Sequence, residues 1–272
     1  MDYNALLKLA IAAALEAGKE ILKIYETDFS VETKSDNTPV TLADKGASDS
    51  IIKFLSKTNI PIISEEEAIL DFEERKLWTH VWLIDPLDGT KEFVKRNGEF
   101  AVNIALIENN KPVVGVIFSP VTKELYFASI NHNSFKVNGA TVGEEINKNN
   151  SQLVENLIKT AVKLPIQNLP KTYTVVASRS HLSRELNQYI DKLKNLFGEV
   201  DIINVGSSIK QCWVAEGKAH EYLRLGITME WDTAAGQCIL EQSGSHLLDL
   251  ETNLPMLYNK ESMKNSYFIA KH

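Results

Sequence analysis

A few acidic residues in this sequence would carry chemistry if folding brought them together. The string Trp82-Leu83-Ile84-Asp85-Pro86-Leu87-Asp88-Gly89-Thr90 runs an apolar segment into a turn that holds two carboxylates three residues apart. Carboxylates this close repel one another, and a cation is the natural means of keeping both ionised. All-oxygen ligands favour Mg²⁺, Mn²⁺ or Ca²⁺ over zinc and copper. Gly89 permits a tight backbone, and Thr90 stands where a helix can begin. The N–H groups around this pair would form an anion seat beside the cation. Upstream, Ile60-Pro61-Ile62-Ile63-Ser64 ends on Glu65-Glu66-Glu67, and a strand parallel to the first would deliver those acids to the same cleft. Trp231-Asp232 opens a late helical segment, and Asp44 lies early in another.

Each of these residues also has an ordinary reading. Asp-Pro-Leu-Asp-Gly is good turn chemistry, with Asp88 and Gly89 suited to turn geometry alone. Glu66 and Glu67 suit a solvated surface, Asp232 suits a helix N-cap, and Asp44 suits a capping box with Thr41.

The elements that must position these residues are visible in the pattern. Leu7, Ile11, Ala14, Gly18 and Ile21 share one face of a first helix that also carries several charges, which describes a packed amphipathic helix. A short strand over FSVETK and a turn over SDNTP follow, then a second helix beginning at Thr41 as N-cap. IPIIS and HVWLID read as buried strands ending at acids. FAVNIALIE, KPVVGVIFS, KELYFAS and SFKVNG form an antiparallel meander, with Asn109-Asn110 as one hairpin turn. Residues 141–171 are polar and weakly patterned. Beyond them YTVVAS, a helix from Ser183, VDIINV, a helix from Ser208, HEYLRL and a helix over WDTAAGQCILEQSG alternate strand with helix. The expected organisation is an α+β half over 1–150 carrying most of the acids and an α/β half over 151–272, joined as one two-part unit with a cleft between them.

Bulk properties exclude several function classes. The chain has 272 residues and a formal net charge of −7, with no run of consecutive Lys and Arg, which disfavours a nucleic-acid polymer as partner. No apolar stretch reaches the length of a membrane span, so the expectation is a soluble cytoplasmic protein, with peripheral membrane association and oligomeric state left open. Cys212 and Cys238, the two cysteines, lie in helical segments outside any CxxC, the pattern of buried thiols in a reducing compartment. Trp78, Trp82 and Trp213 read as core, and His220 as structural.

The string WLIDPLDGTKEF, with ISEEE before it and EWDTAAG after it, closely resembles the inositol monophosphatase superfamily of lithium-sensitive, metal-dependent phosphatases. The matches run from the first helix to about Gly244. Within the superfamily, EFVKRNGEFAVNIALIENNKPVVGVIFSPV, ASRSH and VGSSIKQCWVAEGKAHEYLRLG resemble the branch of CysQ-type 3′(2′),5′-bisphosphate nucleotidases. That resemblance implies a layered αβαβα sandwich and removal of the 3′-phosphate from adenosine 3′,5′-bisphosphate, in the context of sulfur metabolism. It implies two or three Mg²⁺ ions on Glu65, Asp85, Asp88, Asp232 and the Leu87 carbonyl, with Glu66 further out. It places Asp44 and Thr90 as the pair that activates the attacking water, without a phosphoenzyme, and Gly89 and Thr90 against the phosphate. Ser178, His181, Ser207, Lys210 and Arg224 match positions that read the second phosphate, the ribose and the base. An inositol monophosphatase or sugar bisphosphatase with the same metal core is the enzymatic alternative, and the Lys210 and Arg224 pair argues for a second phosphate. A catalytically silent binding or adaptor protein would be expected to lack a metal ligand or a water activator, and every such position is filled.

Overall fold

Helix α1 (Tyr3–Tyr25) starts on Asp2, whose carboxylate accepts the N–H groups of Asn4 and Ala5 at 3.0 and 3.1 Å. This satisfies two of the unpaired donors of a helix start. All five residues of the expected apolar face are buried. The computed structural model describes residues 1–27, 31–33, 39–140, 155–178 and 184–272. The expected turn over SDNTP falls almost wholly outside these residues, and so does the side chain of Thr41. Strands β1 (Val31–Thr33) and β2 (Pro39–Thr41) pair antiparallel ahead of α2 (Leu42–Leu55).

The first large sheet contains β3 (Ile62–Ser64), β4 (His80–Asp88), β5 (Ala101–Glu108), β6 (Lys111–Ser119), β7 (Glu124–Ser129), β8 (His132–Asn138) and β9 (Val162–Lys163), in chain order. Strand β3 runs parallel to β4, and every later neighbour is antiparallel, which is the expected meander. Asn109 and Asn110 both take positive φ, 48° and 66°, as a two-residue hairpin turn requires. Short helices α3 (Phe72–Arg75) and α4 (Thr90–Val94) flank β4, and α5 covers residues 155–160.

The second sheet has the order β11-β10-β12-β14-β13, from β10 (Tyr173–Ser178), β11 (Val200–Val205), β12 (Glu221–Arg224), β13 (His246–Asp249) and β14 (Phe268–Lys271). Strands β11 and β12 run parallel to β10, as strand–helix alternation predicts, but β14 and β13 add an antiparallel edge. Helices α6 (Arg184–Phe197), α7 (Ile209–Ala215) and α8 (Glu230–Ser243) complete the chain.

Side-chain alternation sorts these elements into layers. Trp82 and Ile84 of β4, Val102 and Ile104 of β5, and Val116 and Phe118 of β6 pack with α1 and α2 on one face of the first sheet. The intervening Val81, Leu83, Ala105 and Ile117 pack with α7, α8 and the inner face of the second sheet. Helix α6 covers the outer face of the second sheet through Leu186 and Ile190 against Ala177 and Leu223. The order helices, sheet, helices, sheet, helix is the αβαβα sandwich. Both cysteines are buried free thiols in its central helix layer. Among the described residues no helix is long and apolar enough to cross a membrane.

Close approach of α8 to the first sheet depends on Gly115. A Cβ there would lie 2.4 Å from the carbonyl oxygen of Ala235 and 2.8 Å from Cys238 Cβ. Backbone on one side leaves no rotamer to move. Gly115→Ala is therefore expected to destabilise the protein by about 1–3 kcal/mol, the usual cost of overpacking. A thermal unfolding scan checks this, and an unchanged midpoint would mean that α8 can lift off β6 freely.

Candidate active site

The parallel register Ser64↔Ile84 sets Glu65 beside the end of β4, and the Glu65 N–H donates to the Ile84 carbonyl at 3.3 Å. Pairing of β4 with β5 is regular down to Asp85↔Asn103, then shifts before Asp88↔Ala101. This bulge brings two aspartates together at the carboxyl end of β4. Within it the Leu87 N–H donates to Asp85 Oδ1 at 3.1 Å, and the Thr90 hydroxyl donates to the Leu87 carbonyl at 3.5 Å. Gly89 follows at φ 98°, a left-handed conformation that suits glycine, and α4 then starts at Thr90.

Asp232 arrives from the opposite side, in the first turn of α8. The N-cap of α8 is Met229 and not Asp232; Asp232 sits at the third helical position and its Oδ2 accepts the Met229 N–H at 2.8 Å, closing a capping box. It also has a second use: one carboxylate oxygen each from Glu65, Asp85 and Asp232 lie within 4.8 Å of one another. Capping and clustering are both true of the same side chain. Asp88 stands beside this trio with its Oδ2 held by the Ser208 N–H at 2.5 Å and by Asn103 Nδ2 at 3.4 Å. Asp44 is buried in the first turn of α2. Glu66 is half-buried and Glu67 is exposed.

The electrostatics follow from this crowding. Burial pushes the Asp85 carboxyl well above its usual range, and the charges of Glu65, Asp88, Asp232 and Asp44 push it further, in that order. Asp232 is raised to about 8, first by burial, then by Asp88. Carboxylates gathered so tightly disfavour their own ionisation unless positive charge joins them. Their hard oxygen donors fit a divalent cation such as Mg²⁺.

A cavity of about 140 Å³ runs from Asp88, Gly89 and Asp232 to Ser207, Lys210 and Arg224. Its far wall lies at the carboxyl ends of the parallel strands, the usual place for ligands on such sheets. The chain leaves β11 through Gly206 and Ser207, the latter at φ 53°, and enters α7. Lys210 is 5% exposed, donates to the carbonyls of Ser207 (2.5 Å) and Val205 (3.4 Å), and lies 5.4 Å from the centre of the Tyr222 ring. Burial lowers its pKa to about 8, against the opposing pull of Asp88. Arg224 ends β12 and donates through Nη2 to Ile227 O at 3.2 Å, while its Nε is buried without a hydrogen bond. Ser178 pairs with Val205 at the same sheet edge, and its side chain and the whole of His181 fall outside the described residues. His220 accepts the Thr174 N–H on Nδ1 at 3.0 Å, a structural role.

Several residues of the site escape a reading of motifs. Lys91 and Thr228 line the cavity, and Glu99 holds the Gly206 N–H at 2.9 Å. Thr228 lies outside every string singled out above, and Lys91 and Glu99, though inside two of them, have no motif spacing that marks a role. Asn103 alone left a signal, as a polar residue inside an apolar strand.

The layered fold, with acids from strand ends facing an acid from a helix start, defines a class, and residues 2–271 match the model of the inositol monophosphatase family. The chain belongs to that family. Among its relatives, the 3′(2′),5′-bisphosphate nucleotidase CysQ of Salmonella typhimurium is 39% identical over 259 residues, covering 94% of this chain and 95% of that protein. CysQ of Escherichia coli strain K12 is also 39% identical, over 260 residues, with the same coverage. The crystal structure of CysQ from Bacteroides thetaiotaomicron, a bacterial member of the inositol monophosphatase family, superposes with a TM-score of 0.89 at 43% identity, covering 99% of this chain and 98% of that one. Extragenic suppressor protein SuhB from Bartonella henselae shares the fold at 24% identity, with a TM-score of 0.73 over 98% of this chain and 94% of that one.

The raised carboxyls give a signed pH dependence. A group whose pKa is higher in the folded state adds stability at low pH and loses it as pH rises through the folded value. In metal-free protein the thermal stability of Asp232→Asn is therefore expected to match wild type near the usual aspartate value of 3.8, to overtake it as pH rises, and to level off above about 8. Unfolding scans in EDTA across this range check it. A difference independent of pH would show that Asp232 ionises freely.

Proposed function

We propose that the chain is a magnesium-dependent 3′(2′),5′-bisphosphate nucleotidase that hydrolyses the 3′-phosphate of adenosine 3′,5′-bisphosphate to AMP and phosphate. One observation carries this reading: a single cavity is lined both by two of the clustered acids, Asp88 and Asp232, and by two cations, Lys210 and Arg224. A substrate with one phosphate to lose and another to be gripped matches that polarity. The similarity to CysQ nucleotidases over nearly the whole chain supports it.

In this reading Glu65, Asp85, Asp88, Asp232 and the Leu87 carbonyl hold the metal, two or three Mg²⁺ ions in all. Bound Mg²⁺ would lower the pKa of a water and offset charge on the leaving oxygen. The N–H groups at Gly89 and Thr90 hold the phosphate at the start of α4. Thr90 and Asp44 orient the attacking water and take up its proton, so that the new P–O bond forms opposite the departing ribose oxygen. That oxygen leaves protonated by solvent. Lys210 and Arg224 pair with the 5′-phosphate, and Ser207 fixes the turn between them and the cluster. The ribose and base are assigned to Ser178 and His181 from the likeness to CysQ nucleotidases alone. The division of labour follows the halves, with residues 1–150 supplying most metal ligands and residues 151–272 supplying Asp232 and the substrate readers.

The direct test is phosphate release from adenosine 3′,5′-bisphosphate with Mg²⁺ and with excess EDTA, beside inositol 1-phosphate. Strong Mg²⁺-dependent release with preference for the nucleotide is expected, and equal or reversed preference overturns the assignment. Arg224→Gln separates the two phosphates. It is expected to raise KM for the bisphosphate about tenfold or more, the worth of a charge-assisted hydrogen bond, and to leave adenosine 3′-monophosphate little affected. Equal losses on both substrates would take Arg224 away from the 5′-phosphate.

A further inference from the structure

Strand β5 is buried at seven consecutive positions, Ala101 to Ile107, and Asn103 is the one polar residue among them. At 1% exposure its amide must find partners at both ends or destabilise the sheet. It finds them in two different parts of the site. Asn103 lies opposite Asp85 in the register and projects to the face covered by α7 and α8. Its Nδ2 donates to Asp88 Oδ2 at 3.4 Å, and its Oδ1 accepts the Ser208 hydroxyl at 2.7 Å. Both contacts require the same orientation of the amide. The Ser208 N–H closes the triangle by donating to that same Asp88 oxygen.

We propose that Asn103 is a positioning residue that couples the metal-binding carboxylate Asp88 to the loop reading the second phosphate. Two donors converging on Oδ2 fix the rotation of the Asp88 carboxylate, and Oδ1 is then the oxygen left for a cation. Ser208 is the residue from which α7 departs, one position after Ser207 and two before Lys210, so the amide that sets Asp88 also sets the start of the cationic helix. The coupling rests on the reading of Asp88 as a metal ligand and of Lys210 as an anion reader. An asparagine serving only the sheet would need neither contact to converge on these two segments.

The experiment is calorimetric titration of the full chain with MgCl₂, paired with phosphate release, for wild type, Asn103→Ala, Asn103→Asp and Ser208→Ala. Asn103→Asp keeps the shape and the acceptor for Ser208 but turns an oxygen toward Asp88. Both Asn103 variants are expected to weaken Mg²⁺ binding about 10-fold or more, as loss of a group orienting a ligand does. Ser208→Ala is expected to weaken it as well, although the lost hydroxyl touches no carboxylate. In the double variant the two losses should not add, since both act through one amide. Turnover by Ser208→Ala should recover at saturating Mg²⁺, which general loosening of the fold would not allow. Folded variants that bind Mg²⁺ as wild type does overturn the coupling and leave the nucleotidase reading intact. Failure of wild type itself to bind Mg²⁺ is a different result, and it removes the metal reading together with the inference. Should Asn103→Ala fail to fold, the isosteric Asn103→Asp and the small deletion Ser208→Ala carry the same test.

Discussion

Repulsion among carboxylates is the constraint around which this molecule is arranged. Left to itself, a buried aspartate beside other acids gives up its charge, and Asp85 and Asp232 are driven in that direction. Holding such groups together costs stability that the rest of the fold has to offset. The layers do so by tying each acid to a packed element: Glu65 follows β3 directly and is held to β4 by its N–H, Asp85 stands where the regular pairing of β4 stops, and Asp44 and Asp232 lie in the first turns of helices. The arrangement is strained in the electrostatic sense and ordinary in the steric one, which is what a site awaiting a cation should be.

Much of this was legible in the sequence because the relevant signals are local. Apolar runs ending on acids mark β3 and β4, the Asn109-Asn110 turn marks a hairpin, and the parallel delivery of Glu65 to Asp85 follows once both runs are strands. The dull reading of Asp232 as an N-cap was three residues off, since Met229 is the N-cap, yet its carboxylate does serve the start of α8 while joining Glu65 and Asp85 in one cluster. What the sequence did not reveal are elements too short for a period to develop. Strand β9 has two residues, and β13 and β14 have four each, so the antiparallel edge of the second sheet left no pattern. Long-range polar pairs were hidden for a related reason. Glu99 to Gly206 and Asn103 to Ser208 join residues about a hundred positions apart, and no spacing rule relates them.

The opposite end of the cavity shows the complementary physics. Lys210 is buried and its charge is disfavoured by that burial, yet Asp88 pulls it back toward the charged form. Acids and bases thus line one small volume. The turn at Gly206 and Ser207, where Ser207 takes a positive φ, leads from β11 into α7 and so to Lys210. A ligand that carries negative charge on one end and brings cations on the other relieves both ends at once.

The convergence of Glu65, Asp85 and Asp232 also has a mechanical meaning. These side chains come from strand ends in the first half of the chain and a helix start near its end, so a dication held among them would be a removable crosslink between distant segments. Ions that bind only the assembled protein stabilise it by mass action, in proportion to the logarithm of their free concentration. The first turn of α8 cannot fray without surrendering Asp232, and fraying would therefore compete with the ion. With such an ion, the rigidity of the central helix layer would be set by the surrounding solution as well as by the polypeptide.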